Sequence, residues 1–94
     1  MSTNSPQTRN SQETEYLKLL GANIRKWREN KGLTQEQFAS LVGFTRSYIT
    51  EIENGKRNIS FLNLVKIVKS LEADEQDWRL LILEINKVRE RIED

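Results

Sequence analysis

The chain has 94 residues, enough for one small domain whose core is marginal enough to gain from partner association. It contains no cysteine and no histidine, so disulfides, thiolate nucleophiles and the usual general base are missing; an enzyme, a metal site and a cofactor are not expected. The net charge of +1 hides a polarity: residues 21–69 carry nine basic against four acidic side chains, residues 70–94 four against eight.

Residues 1–12 are polar, hold the only proline and show no apolar period, so a disordered tail containing Arg9 is expected. The first helix is expected from Glu13 to about Asn30, with Leu17, Leu20, Ile24 and Trp27 on one face and Gly32 placed to end it. Thr34 and Gln37 form the T-x-x-Q capping box of a second helix, whose apolar face is Phe38, Leu41 and Val42. A third helix runs from about Thr45 to Asn54, with Tyr48, Ile49 and Ile52 facing inward or sideways, and Asn54-Gly55 stops it. Ser60 caps a fourth helix with a face of Phe61, Leu64, Val65, Val68 and Leu71. Asp74 caps a long fifth helix reaching about Ile92. No strand pattern, internal repeat or long linker interrupts this series. The expected fold class is all-α, with a tail at 1–12, a domain at 13–73, and a C-terminal helix at 74–94 packed on that domain. No apolar run approaches membrane-spanning length and the N-terminus lacks the apolar core of a signal peptide, so a cytoplasmic protein with no membrane partner is expected.

The stretch TQEQFASLVGFTRSYITEIE, from Thr34 to Glu53, meets four steric demands at fixed spacing. Counting from Gln35, the fifth position needs a small residue for close helix approach and holds Ala39. The ninth must accept a left-handed backbone and holds Gly43. The fifteenth and eighteenth plug the gap between the helices and hold Ile49 and Ile52. This is the spacing of a helix-turn-helix, whose second helix lies in the major groove of DNA. The basic excess falls on the same segment, where an anionic partner would draw on it.

The run IRKWRENKGLTQEQFASLVGFTRSYITEIENGKRNIS resembles the Cro- and repressor-type (XRE-type) helix-turn-helix regulators, over roughly residues 17–73. Within that family RSYITEIENGKRNIS is most similar to the controller proteins of restriction–modification systems. The resemblance implies a five-helix bundle of the lambda-repressor-like DNA-binding type, helices two and three forming the helix-turn-helix. It also implies that Gln35 and the start of helix two grip one phosphate, that Lys56, Arg57 and Asn58 form a second backbone clamp, and that Arg28 pairs with Glu53 to tie helix one to helix three. The extension through Tyr16 and the charged C-terminus from Asn86 exceed the minimal family domain.

Base edges are met from the start of the second helix of the motif, which places Thr45, Arg46, Ser47, Thr50 and Glu51 as base-reading candidates. Arg46 has the fork that donates to guanine O6 and N7. Thr45 is also the expected cap of its helix. Glu51 is repelled by phosphate, so it accepts from a cytosine amino group, orients a neighbouring arginine or points away, the last two being favoured. Tyr48 is a phosphate-binding candidate, its hydroxyl donating while its ring packs against helix two.

Trp78, Leu81, Ile85, Val88 and Ile92 occupy a and d positions over two heptads, and Leu80, Ile82 and Leu83 widen the apolar face. Part of so broad a face is expected to meet a second copy, making the chain a homodimer that reads a pseudo-palindromic operator with half-sites about one helical turn apart. The resemblance implies autoregulation of its own promoter, in step with a restriction enzyme gene. A phage-type repressor, a DNA-binding antitoxin, or a protein-interaction module retaining the fold remain as alternatives. Double-stranded DNA and a second copy are the expected partners, with no small-molecule ligand.

Overall fold

The computed structural model describes the backbone of residues 11–93 and the side chains of residues 11–91. Five helices follow one another: α1 (Ser11–Asn30), α2 (Gln35–Val42), α3 (Arg46–Glu53), α4 (Phe61–Leu71) and α5 (Glu75–Glu93). There is no strand among the described residues. Helix α1 already includes Ser11 and Gln12, which the sequence placed in the tail. The rest of the expected tail, Arg9 included, lies outside the described residues. No described helix is long and apolar enough to cross a membrane.

Side-chain caps decide where four of the helices begin. The Thr34 hydroxyl accepts from the Gln37 amide at 3.0 Å while the Gln37 side chain accepts from the Thr34 amide at 2.9 Å, the reciprocal box expected from T-x-x-Q. Thr45 accepts from the Tyr48 amide, and Ser60 from the Asn63 amide. Asp74 and Asp77 form a second reciprocal pair at the start of α5. The stops are equally local. After α1, α3 and α4 the chain closes with paired bonds of the Schellman type, from Leu33 to Arg28, Lys56 to Glu51 and Ala73 to Val68. Two of these turns place glycine at the left-handed position, but the α4 turn places Glu72 there at φ 56°.

The core gathers Ile24 and Trp27 from α1, Phe38 and Ala39 from α2, Ile49 and Ile52 from α3, Ile67 and Leu71 from α4, and Leu81 from α5. Three sequence expectations are corrected here. Leu41 is exposed, because contact through Ala39 turns the inner face of α2 toward Phe38, Ala39 and Val42. Phe61 is 74% exposed and Ile67 is fully buried, although Ile67 was not on the expected face of α4. The apolar arc of that helix is wider than one contact face needs, so its sequence admits two stripes, and packing selects the one through Leu64, Ile67 and Leu71.

The third correction concerns α5. Leu81 and Val88 are buried within the single chain, and Ile85 packs against the same core. Trp78 meets Trp27 of α1 edge to face, ring centroids 5.7 Å apart. Asn23, buried in α1, donates to the Glu84 carboxylate of α5 at 3.0 Å. Within the seam, Leu81 and Val88 are thus taken up by the chain itself, while Trp78 and Ile85 stay half-buried. The Ile92 side chain lies outside the described residues. What stays exposed on α5 is Leu80, Ile82 and Leu83, on the flanks of that seam.

Candidate nucleic-acid interface

Helix α3 is held against α1 by an approach so close that only glycine permits it. A Cβ at Gly21 would lie 2.3 Å from the Ile52 carbonyl oxygen and 2.7 Å from that of Glu53. The same contact carries a buried ion pair. Arg28 donates through Nε to Glu53 Oε2 at 2.6 Å and through Nη2 to Oε1 at 3.0 Å, while Nη1 reaches the Leu33 carbonyl at 2.7 Å. This two-pronged bond holds the Arg28 guanidinium above its ordinary pKa, against the opposing effect of burial. The inner side of α3 is therefore fully engaged. Its outer side is left for other work.

On that outer side Arg46, Ser47 and Glu51 are exposed, and Thr45 sits exposed at the cap. Gln35 at the start of α2 joins Arg46, Ser47, Thr50 and Glu51 in lining an open recess of about 440 Å³. Four of the five base-reading candidates thus lie on one side of α3 with Gln35 facing them, while Thr45 stands at the helix cap. Thr50 and Gln35 are more tightly held than the sequence suggests. The Thr50 hydroxyl lies 3.0 Å from Gln35 Oε1 and from the Arg46 carbonyl, and Gln35 Nε2 donates to Glu53 Oε1 at 3.1 Å. A chain of bonds runs from Thr50 through Gln35 to the buried Arg28–Glu53 pair, fixing those two side chains at the border of the recess. The α2 N-terminus beside them presents the Gln35 and Glu36 amides, for which the helix itself offers no acceptor, and such a terminus favours an anion.

Tyr48 is half-buried, with its ring edge-on to Phe44 at 5.0 Å. Its hydroxyl accepts from Asn63 Nδ2 at 2.9 Å, which leaves the phenolic hydrogen to donate elsewhere. Past the end of α3, Lys56, Arg57 and Asn58 are exposed in the loop leading to α4. Arg57 lies over the Tyr48 ring, 5.0 Å from its centroid, and its Nε is 3.1 Å from Glu51 Oε1. The carboxylate that looked out of place on a DNA-facing helix has an arginine partner.

Gly21 and Asn63 were not identified from sequence. A glycine deep in a helix costs about 1 kcal/mol relative to alanine unless packing demands it, so Gly21 did carry a usable signal. Asn63 carried none, since nothing in its neighbourhood in the chain points to Tyr48.

Residues 24–78 match the family described as Helix-turn-helix. The chain is 46% identical over 52 residues to control protein C.MunI of Mycoplasma sp, covering 54% of this chain and 70% of that one. It is 38% identical over 66 residues to control protein C.BamHI of Bacillus amyloliquefaciens, covering 68% and 82% respectively. Its fold is similar to that of the restriction-modification controller protein C.Esp1396I, solved as a tetramer in complex with its natural 35 base-pair operator. The TM-score is 0.66 at 37% identity, over 74% of this chain and 93% of that one.

Proposed function

This chain belongs to the Helix-turn-helix family, and we propose that it is a sequence-specific DNA-binding transcription regulator of the restriction–modification controller type. The observation that carries the proposal is the outer side of α3. It presents Arg46, Ser47 and Glu51 between two surfaces suited to phosphate, the α2 N-terminus with Gln35 and the Lys56–Asn58 loop with Tyr48 beside it. Such an arrangement reads a short stretch of base edges while the flanking grips set its register. Arg46 donates to guanine, Thr45, Ser47 and Thr50 make close polar and methyl contacts, and the clamps hold the backbone.

A single motif of this size reads only a few base pairs. We propose that two copies bind a pseudo-palindromic operator, related by a twofold axis. The surface that supports pairing is formed by Phe61 of α4 with Ile82 and Leu83 of α5, all exposed and joined through Trp78. Trp78 borders two recesses there, one of about 280 Å³ with Ile82 and Leu83 and one of about 180 Å³ with Phe61 and Val65. Apolar side chains around shallow recesses suit a self-complementary contact. Such a dimer binds steeply with concentration, as autoregulation of a promoter requires.

The test is a mobility-shift titration on the DNA immediately upstream of the chain's own gene. Wild type should retard it cooperatively, with a log–log salt dependence that is steep and negative. Arg46→Ala should lose about 1–3 kcal/mol of discrimination between that DNA and an unrelated duplex. A folded, dimeric protein with no preference for any duplex in a genome-wide selection would overturn the proposal.

A further inference from the structure

Arg57, in the loop after α3, is tied to that helix at two points. Its Nε pairs with Glu51 at 3.1 Å, and its guanidinium carbon stands 5.0 Å over the centroid of the Tyr48 ring. Tyr48 and Glu51 are three residues apart, hence neighbours on one helix face. Tyr48 is itself pinned by Phe44 and by the Asn63 hydrogen bond. The backbone closes the arrangement, since the Lys56 amide donates to the Glu51 carbonyl at 2.8 Å and brings the loop back over the end of α3. An arginine on an open loop would ordinarily sample many orientations. This one is held by a carboxylate and a ring on the helix that faces DNA.

The side chains of Arg57 and Glu51 are 54% and 49% exposed, so their pairing adds little to stability. Its consequence is electrostatic and geometric. A lone carboxylate on this surface would repel phosphate, and a lone arginine would attract any phosphate in reach. Paired, they present almost no net charge, and the guanidinium is offered in one orientation. A duplex set in register by the base contacts of α3 brings a phosphate to that orientation and gains the contact without displacing Glu51. A duplex held out of register must pull Arg57 away and leave Glu51 facing its backbone.

We infer that Glu51 is a positioning and specificity-determining residue. By holding Arg57 over Tyr48 and offsetting its charge, it weakens binding to DNA in general more than binding to the operator. The inference rests on the regulator function proposed above and adds to it how wrong sequences are rejected.

The experiment compares wild type, Glu51→Gln, Arg57→Gln and the double variant, all as the full chain and each checked for helical content. Affinity is measured across a salt series for the upstream duplex and for an unrelated duplex of equal length. Glu51→Gln should bind the unrelated duplex several-fold more tightly, with a log–log salt slope steeper by about one per protomer. The preference for the upstream duplex should narrow, and in the Arg57→Gln background the same change should leave the preference unaltered. Without DNA, the Arg57 side-chain protons should lose their upfield ring-current shift in Glu51→Gln, showing release from Tyr48. Equal tightening on both duplexes, or an unchanged Arg57 resonance, overturns the inference. If wild type itself prefers neither duplex nor any selected one, the regulator function fails first and this inference with it; that result is read before any variant is compared.

Discussion

Glu53 shows how much can hang on one side chain. Its carboxylate is 2% exposed and receives three hydrogen bonds, two from Arg28 and one from Gln35. Truncation would leave the Arg28 guanidinium buried and unpaired, a situation that costs about 3–5 kcal/mol. Glu53→Ala should therefore consume much of the stability of so small a domain, seen as a large fall in the urea midpoint; a change below about 1 kcal/mol would show that the pair is not buried in solution. Glu72 makes the opposite case at the surface. It occupies the left-handed turn after α4 and pairs with Lys31. At that φ glycine is unstrained while alanine keeps the Cβ clash, so Glu72→Gly should melt above Glu72→Ala. The hydrogen bond from Lys31, aided by its charge, holds the Glu72 carboxyl below the ordinary glutamate range. A carboxyl with a lowered folded-state pKa adds stability above its unfolded value and loses it as pH falls through the folded one. Lys31→Met should abolish that contribution: the Glu72 carboxyl, followed by carbon NMR, should then titrate near the ordinary value. The Arg28–Glu53 pair was expected from family resemblance, whereas Glu72 was not anticipated, because nothing in its identity favours a left-handed backbone.

Among the elements, α1 and α3 show where propensity and packing conflict. Alanine at position 21 would raise the helix propensity of α1, yet its Cβ would lie 2.3 Å from a backbone oxygen of α3. Backbone does not yield as a flexible side chain does. Gly21→Ala should destabilise the chain by about 1–3 kcal/mol despite the better helix former, measured by chemical denaturation. A neutral or stabilising result would mean that the two helices stand further apart than described. The caps Thr34, Thr45 and Ser60 were legible because a side-chain oxygen followed by an amide three residues on is a local event. The inner stripes of α4 and α5 were less so. Runs such as FLNLVKIVKSL and LLIL contain more apolar residues than one face requires, and the face chosen depends on what lies opposite.

For the whole molecule, the proposed function depends on pairing two copies through Phe61, Ile82 and Leu83. These side chains are exposed, while Leu81 and Val88 of the heptad seam beside them are buried within the chain. An acidic residue on this surface should separate the copies without unfolding either. Ile82→Asp is expected to sediment as a monomer with unchanged helical content and to lose cooperative retardation of the upstream duplex. Leu81→Asp, one residue away and buried, should unfold the chain instead. If Ile82→Asp stays dimeric, pairing uses another surface.

The sequence by itself determined the helical series, the caps, the helix-turn-helix spacing from Gln35 to Ile52, and the residues that line the outer face of α3. All of these follow from short-range sterics and hydrogen bonding along a regular helix, so few residues suffice to specify them. Only the tertiary structure decided that Leu81 and Val88 serve the chain's own core and that Ile67 replaces Phe61 inside. It also decided that Gln35 links Thr50 to Glu53 and that Arg57 is the partner of Glu51. Those outcomes depend on how helices far apart in the chain rotate to fill one space. Hydrophobic burial has no direction of its own, and the pattern of any single helix leaves that rotation open.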